Sequence, residues 1–289
     1  MKKLASLIPL FLAACVVAAA QGARHRGAAE GSVASSGKVA RPERGRLPKA
    51  TFVAEKPEGV NSNDDVVEQL LERYMEAQGG VLAISKIKTR IVRGTVEISI
   101  SNLPGTFESY QKAPHKALSV LNAPSGQFIN AYDGSKKWLQ SPWGGSIAVD
   151  EKYTELLKRH EAVGRAGFKW RSLFSSISFR GRALVEGHET VVLAATPSGL
   201  KPTLMYFDVS TSLLRKEELL AHDPSDANPL KAIYIDSYAE VDGVKIPSIF
   251  RQEYADYTLT FRIYEVKHNL PIEDSLFDSP KRVETPDNR

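Results

Sequence analysis

The chain has 289 residues, of which 42% are hydrophobic, 25% charged and 8% aromatic, and its formal net charge is +4. That composition excludes wholesale disorder, a collagen-like fibre and a many-span membrane protein, and the length suits one or two domains. A single cysteine, Cys15, excludes an internal disulfide framework, a zinc site of several thiolates and covalent c-type haem.

Lys2 and Lys3 precede an apolar run over residues 4–20, broken by Pro9 and ending in Ala18-Ala19-Ala20. The pattern predicts a signal peptide over residues 1–20; it is marginal for a spanning helix, which needs about 20 consecutive apolar residues. Two processing routes stay open. Small residues before Gln21 suit cleavage that frees the mature chain. Leu12-Ala13-Ala14-Cys15 is similar to a bacterial lipobox, which would make Cys15 a lipidated N-terminus, although Val16 and Val17 continue the apolar run where lipoproteins turn polar. Either route predicts export to the periplasm of a bacterial envelope, with the second leaving a membrane-anchored lipoprotein.

Residues 21–60 hold few large apolar side chains and are rich in Gly, Ala, Ser, Pro and Arg, so they cannot bury enough surface to offset ordering. A disordered basic linker is expected there. Eight Lys/Arg against four Glu give residues 22–59 a charge of +4, and Lys2 and Lys3 add +2. The whole-chain +4 therefore leaves residues 60–289 at −2, so the basic balance says nothing about the folded part. No nucleic-acid partner is expected, since that needs basic residues on a folded face. The linker reads as a solvated tether, with contact to an anionic membrane surface or cell-wall polymer as its alternative role.

From Asn63 or Asp64 to Gln78, the apolar residues Val66, Val67, Leu70, Leu71 and Tyr74 recur at helical spacing, and Gly79-Gly80 ends the run. A short second helix is expected over 81–87. The period then changes to two: Val92, Val96, Ile98 and Ile100 alternate with Arg93, Thr95, Glu97 and Ser99. Further strand-like runs cover 106–111, 116–121, 127–132 and 136–140, and after a break 177–185, 190–196, 203–208, 213–219, 232–241, 244–254 and 257–266. Asp133-Gly134, Glu186-Gly187-His188 and Asp242-Gly243 punctuate them as hairpin turns. Eleven or twelve consecutive strands with tight turns predict an antiparallel meander. The break, residues 150–170, carries Tyr153, Leu156, Leu157 and His160 on one helical stripe. Eleven strands at about 4.8 Å form an arc of about 50 Å, wide enough to curl. The expected fold is α+β and mainly antiparallel β. It is a strongly curved open sheet, a half-barrel of about eleven strands, with helices covering the concave face. The domain spans 61–280, followed by a tail at 281–289.

Several blocks carry a family likeness. They are Tyr74-Met75-Glu76-Ala77-Gln78-Gly79-Gly80, Ile87-Lys88-Thr89-Arg90-Ile91-Val92-Arg93-Gly94-Thr95, Ala131-Tyr132-Asp133-Gly134 before Trp138-Leu139-Gln140, and Tyr206-Phe207-Asp208 before Leu213-Leu214-Arg215. Tyr238-Ala239-Glu240-Val241-Asp242-Gly243-Val244-Lys245-Ile246-Pro247 and Glu265-Val266-Lys267-His268-Asn269 complete the set. Together they resemble the LolA/LolB superfamily of periplasmic lipoprotein and lipid carriers, and more closely the lipoprotein-sorting-like domains of acidobacterial exported proteins. The resemblance implies a curved sheet with a helix plug and an apolar cavity that acts by binding. It brings no catalytic residues with it. Relatives labelled reaction-centre cytochrome subunits carry haem-attachment motifs that this chain lacks.

Searching for chemistry finds little. There is no Gly-x-Ser-x-Gly elbow, P-loop or dinucleotide fingerprint, and the six histidines show no metal-ligand spacing. His222-Asp223-Pro224-Ser225-Asp226 reads as a polar loop, His268 as a partner for a turn, and Glu217-Glu218 as opposite-facing strand residues. No enzyme activity, catalytic group, metal or cofactor is expected. The expected function is a carrier or chaperone that binds a lipid, a lipoprotein acyl chain or another apolar ligand. Val96, Ile98, Phe128, Tyr132, Trp143, Leu156, Tyr206 and Phe261 are the candidates for lining its cavity. Trp138 and Trp170 read as core. The alternative is a structural or signalling module with a filled core that recognises an envelope protein.

Overall fold

The computed structural model describes residues 63–101, 104–142, 144–148, 174–196, 202–220 and 230–278. The expected signal peptide, linker, insertion helix and tail, with Cys15, Trp143, Leu156 and Trp170, lie outside the described residues.

Helix α1, Asn63–Ala77, follows its apolar stripe: Val66, Val67, Leu70, Leu71, Tyr74 and Met75 are buried, while Glu68, Glu72 and Glu76 are exposed. Asp64 and Asp65 in its first turn suit the positive end of the helix dipole. At Gly79 the backbone turns left-handed, with φ 118°. A Cβ there would lie 2.0 Å from the Gly243 carbonyl oxygen, so only glycine lets the helix end approach the next hairpin. The Lys245 amide donates to the Gln78 carbonyl at 2.9 Å and completes that junction. The short helix α2, Gly80–Lys86, then turns back, and Met75, Ile84, Ile87, Val244 and Ile246 pack together beneath it.

Thirteen strands follow: β1 (Thr89–Ile98), β2 (Gly105–Lys112), β3 (Lys116–Ala123), β4 (Gly126–Tyr132), β5 (Lys137–Ser141), β6 (Gly144–Ala148), β7 (Ser176–Val185), β8 (His188–Thr196), β9 (Thr203–Asp208), β10 (Leu214–Leu219), β11 (Leu230–Val241), β12 (Val244–Tyr254) and β13 (Thr258–His268). All belong to one antiparallel sheet in the order β6-β5-β4-β3-β2-β1-β13-β12-β11-β10-β9-β8-β7. The single meander read from the sequence is therefore two. One runs outward from β1 to the β6 edge; the other starts at the β7 edge and returns to the centre. Residues 149–173 connect the two edges. The strand beyond the expected set is β6, whose Gly144-Gly145-Ser146 has weak strand propensity and which pairs with β5 through its backbone. The tight turns fall where the sequence puts them, with left-handed Glu186-Gly187 and Asp242-Gly243 joining β7 to β8 and β11 to β12.

The main core lies on the face that α1 covers. There Val67, Leu70, Leu71 and Tyr74 join Val92, Val96, Phe107, Leu121 and Phe128 from one meander and Leu193, Phe207, Ile233, Phe250 and Phe261 from the other. Tyr74 meets Phe207 edge-on, with ring centroids 5.2 Å apart. On the opposite face, Ile91, Leu118, Ala131 and Trp138 are capped by a 3-10 turn at Asp274–Phe277. The Trp138 indole donates to the Phe277 carbonyl at 3.2 Å, so this tryptophan is core.

Candidate functional site

Strand pairing fixes which side chains share the helix-covered face. One cross-strand row reads Gly94, Phe107, Leu121 and Phe128 over β1 to β4, and its neighbour reads Val96, Gly105, Ala123 and Gly126. Val96 is paired with Phe261 of β13 across the central seam. Phe261 stacks on Phe250 at 4.7 Å and meets Phe107 edge-on at 5.2 Å, so three rings bridge the two meanders. The bridge crosses Gly94. A Cβ on that residue would stand 2.2 Å from the Phe107 ring and 2.4 Å from the Arg262 carbonyl oxygen.

Toward the other end of the same strands the face turns polar. Val92, Ser109, Ser119, Asn130 and Leu139 make the next row, and Arg90, Gln111, Ala117, Tyr132 and Lys137 the last. Arg90, Ser109, Gln111, Ser119, Asn130 and Lys137 are all at most 4% exposed. Among the described residues, the hydroxyls of Ser109 and Ser119 and the Gln111 amide oxygen have no hydrogen-bond partner. A buried polar group left so costs about 1–3 kcal/mol. Next to Arg90 sits His268 of β13, whose side chain is 1% exposed. Its Nδ1 lies 2.8 Å from an Asp242 carboxylate oxygen, and its Nε2 accepts from Arg90 Nε at 3.0 Å. The ring is therefore neutral with its proton on Nδ1. Burial and then the Arg90 charge hold the imidazole below its usual pKa, against the pull of Asp242.

A cleft of about 320 Å³ opens on the opposite face near the β7–β8 turn. Its charges are mutually committed. Arg251 bonds both Asp236 and Glu186 and lies 4.8 Å over the Tyr234 ring. Arg215 donates to Asp208 at 3.0 Å. Burial alone would raise the Asp208 pKa, but Ser210, Arg215 and the Thr211 amide donate to the carboxylate and hold it well below the usual range. These groups, with His188 Nδ1 at 3.4 Å from the Asp208 carboxylate, brace the β9–β10 turn and the β7–β8 hairpin. Among the described residues no three His, Cys, Asp or Glu side chains converge as metal ligands would. No helix among them is long and apolar enough to cross a membrane.

The sequence-derived lining candidates divide. Val96, Phe128, Tyr132 and Phe261 stand on the helix-covered face, and Ile98 packs against its core. Tyr206 stands on the opposite face, with Val192 and Leu204 and with its hydroxyl on Glu218 at 2.9 Å, because its neighbour Phe207 takes the helix-covered side. Trp143 and Leu156 lie outside the described residues. Sequence reasoning missed the polar rows on β1 to β5. Their signal was phase: Ser109, Ser119 and Asn130 sit two residues from Phe107, Leu121 and Phe128, and so share their side of the sheet.

Comparison with known proteins adds fold and no closer kinship. No family model matches, and no curated protein matches. Among solved structures, the chain is similar to a DUF1329 family protein from Desulfovibrio piger, with a TM-score of 0.54 and 12% identity over 75% of this chain and 98% of that one. It is also similar to a LolA superfamily protein from Nitrosomonas europaea, with a TM-score of 0.50 and 12% identity over 73% and 96% of the two chains.

Proposed function

We propose that this protein is an exported, non-catalytic carrier that holds a lipid, a lipoprotein acyl chain or another apolar ligand between its sheet and the segments that cover it. The observation that carries this reading is the helix-covered face, on which apolar and aromatic side chains from β8 through the seam to β4 pack as one cluster, with the buried Glu217 and Gln252 set among them. Its likeness in fold to a LolA superfamily protein supports the same reading. In the proposal the sheet is strongly curved, and Val96, Ile98, Phe128, Tyr132 and Phe261 line the hollow, joined by Trp143 and Leu156. Removing an acyl chain from water stabilises the complex by about 0.8 kcal/mol per CH₂. About fourteen carbons then supply on the order of 10 kcal/mol before ordering costs. The proposed compartment is the periplasm, reached through the signal peptide, with residues 21–60 or a lipidated Cys15 touching the membrane surface.

The test is mass spectrometry of lipid co-purifying with the full chain expressed with its leader, together with titration of a fluorescent fatty acid. Bound lipid and saturable binding are expected. Absence of both excludes a carrier. A second reading, a module whose core is filled and whose surface recognises an envelope protein, draws on the ring contacts of Phe107, Phe261 and Phe250, which occupy the middle of the face.

A further inference from the structure

The short helix α2 needs only one of its faces to hold its place. Ile84, with Ile87 just past the helix end, packs on Met75, Val244 and Ile246. Leu82 lies about 200° round the helix from Ile84. It is 79% exposed, the most of any large apolar side chain among the described residues. Val81 beside it is 37% exposed, and Leu270 is 41% exposed. Leu270 belongs to the same end of the molecule: the Lys88 amide donates to Asn269 Oδ1 at 2.7 Å, and the Thr89 hydroxyl to the Leu270 carbonyl at 2.6 Å. One exposed leucine is ordinary, but apolar side chains gathered at one end mark a surface that meets something. Two lysines stand with them. Lys86 is one turn on from Leu82, on the same side of α2. Lys88 follows, its ammonium donating to the Ser85 carbonyl at 2.8 Å. Among the described residues neither lysine has a carboxylate within ion-pair distance. Residues 77–88 contain no acid, and the nearest one back along the chain, Glu76, belongs to α1. The acids of the adjoining hairpin are engaged, Glu240 by Lys245 and Asp242 by His268, each at 2.8 Å.

We propose that this end of the molecule docks on an anionic phospholipid surface, with Val81, Leu82 and Leu270 entering the interface and Lys86 and Lys88 lying at the lipid phosphates. A lysine stem covers apolar surface while its ammonium reaches back to the charged layer, so leucine beside lysine fits the edge of a bilayer. A protein partner fits less well. Three such side chains expose on the order of a few hundred Å², against ~800 Å² per partner in a stable protein interface. The docking goes beyond the carrier reading and stands without it. It is also distinct from membrane contact through residues 21–60 or Cys15, because it belongs to the folded body.

The experiment is co-sedimentation of the purified full chain with vesicles of phosphatidylcholine alone and of phosphatidylcholine mixed with phosphatidylglycerol. The mixed vesicles are expected to bind more tightly. Leu82→Asp is expected to weaken that binding at least about tenfold, since it removes a buried leucine and adds repulsion. Leu82→Phe keeps apolar bulk and is expected to bind as the parent does. Lys86→Gln is expected to lose about fivefold on the mixed vesicles and nothing on phosphatidylcholine. Leu184→Asp, at a 69% exposed leucine of β7, is the control and is expected to leave binding unchanged. All four positions are exposed or helix-surface sites, so the variants are expected to fold. Binding of Leu82→Asp at the parent's affinity moves membrane contact to residues 21–60 and overturns the docking surface. An equal loss with Leu184→Asp, or no binding by the parent, overturns it too. A parent dimer that Leu82→Asp dissociates in sedimentation velocity, with vesicle binding unchanged, assigns the patch to a second copy instead. Leu82→Asp is expected to match the parent in the fatty-acid titration, so failure of the docking and failure of the carrier reading are seen separately.

Discussion

Gly94 matters for space. Its missing side chain lets Phe107 reach Phe261, and the Arg262 carbonyl closes the other direction. Gly94→Val therefore forces a ring and a strand apart, and a loss of about 1–3 kcal/mol is expected in urea unfolding. His268 makes a different statement. Its pKa is lowered in the folded chain, so folding favours the neutral ring. Stability from this residue is complete above its unfolded pKa of about 6.5 and declines as the pH falls below it. Melting temperatures between neutral and mildly acidic pH are expected to fall for the parent and to fall less for His268→Gln. The turn partner expected for this histidine is Asp242, at 2.8 Å. The sequence held no sign that the same ring also meets Arg90, because that contact joins residues 178 positions apart.

The helices were the easiest elements to read, since a stripe at helical spacing and a pair of glycines leave little freedom. Leu71, in the middle of α1, is 4% exposed against the sheet core. Leu71→Ala is expected to cost about 2–5 kcal/mol by thermal or chemical unfolding, as truncation of a buried leucine does. The strands were legible as elements but unevenly as faces. In β1 alternation separates Val92 and Val96 from Arg93 and Thr95, and the pairing agrees. In β9 all six residues are buried, so both sides of the strand look alike, and Tyr206 could not be assigned by pattern. In β2 and β3, serine and glutamine in phase with phenylalanine and leucine look like solvent positions until the pairing places them inside. Short β6 was hidden for want of side chains that favour a strand.

At the scale of the whole molecule, composition separated residues 60–289, at −2, from the basic stretch before them, and turn residues located most hairpins. What pattern could not supply was the order of strands. The seam at the centre joins β1 to β13, and Arg90 is paired with His268. As the polypeptide emerges from the ribosome, the first meander is complete well before its inner border has anything to pair with. That border, with Val92 and Val96, stays raw until nearly the last segment arrives, the situation in which unpaired strands recruit the wrong neighbour. A late-closing, long-range pairing of this kind folds slowly.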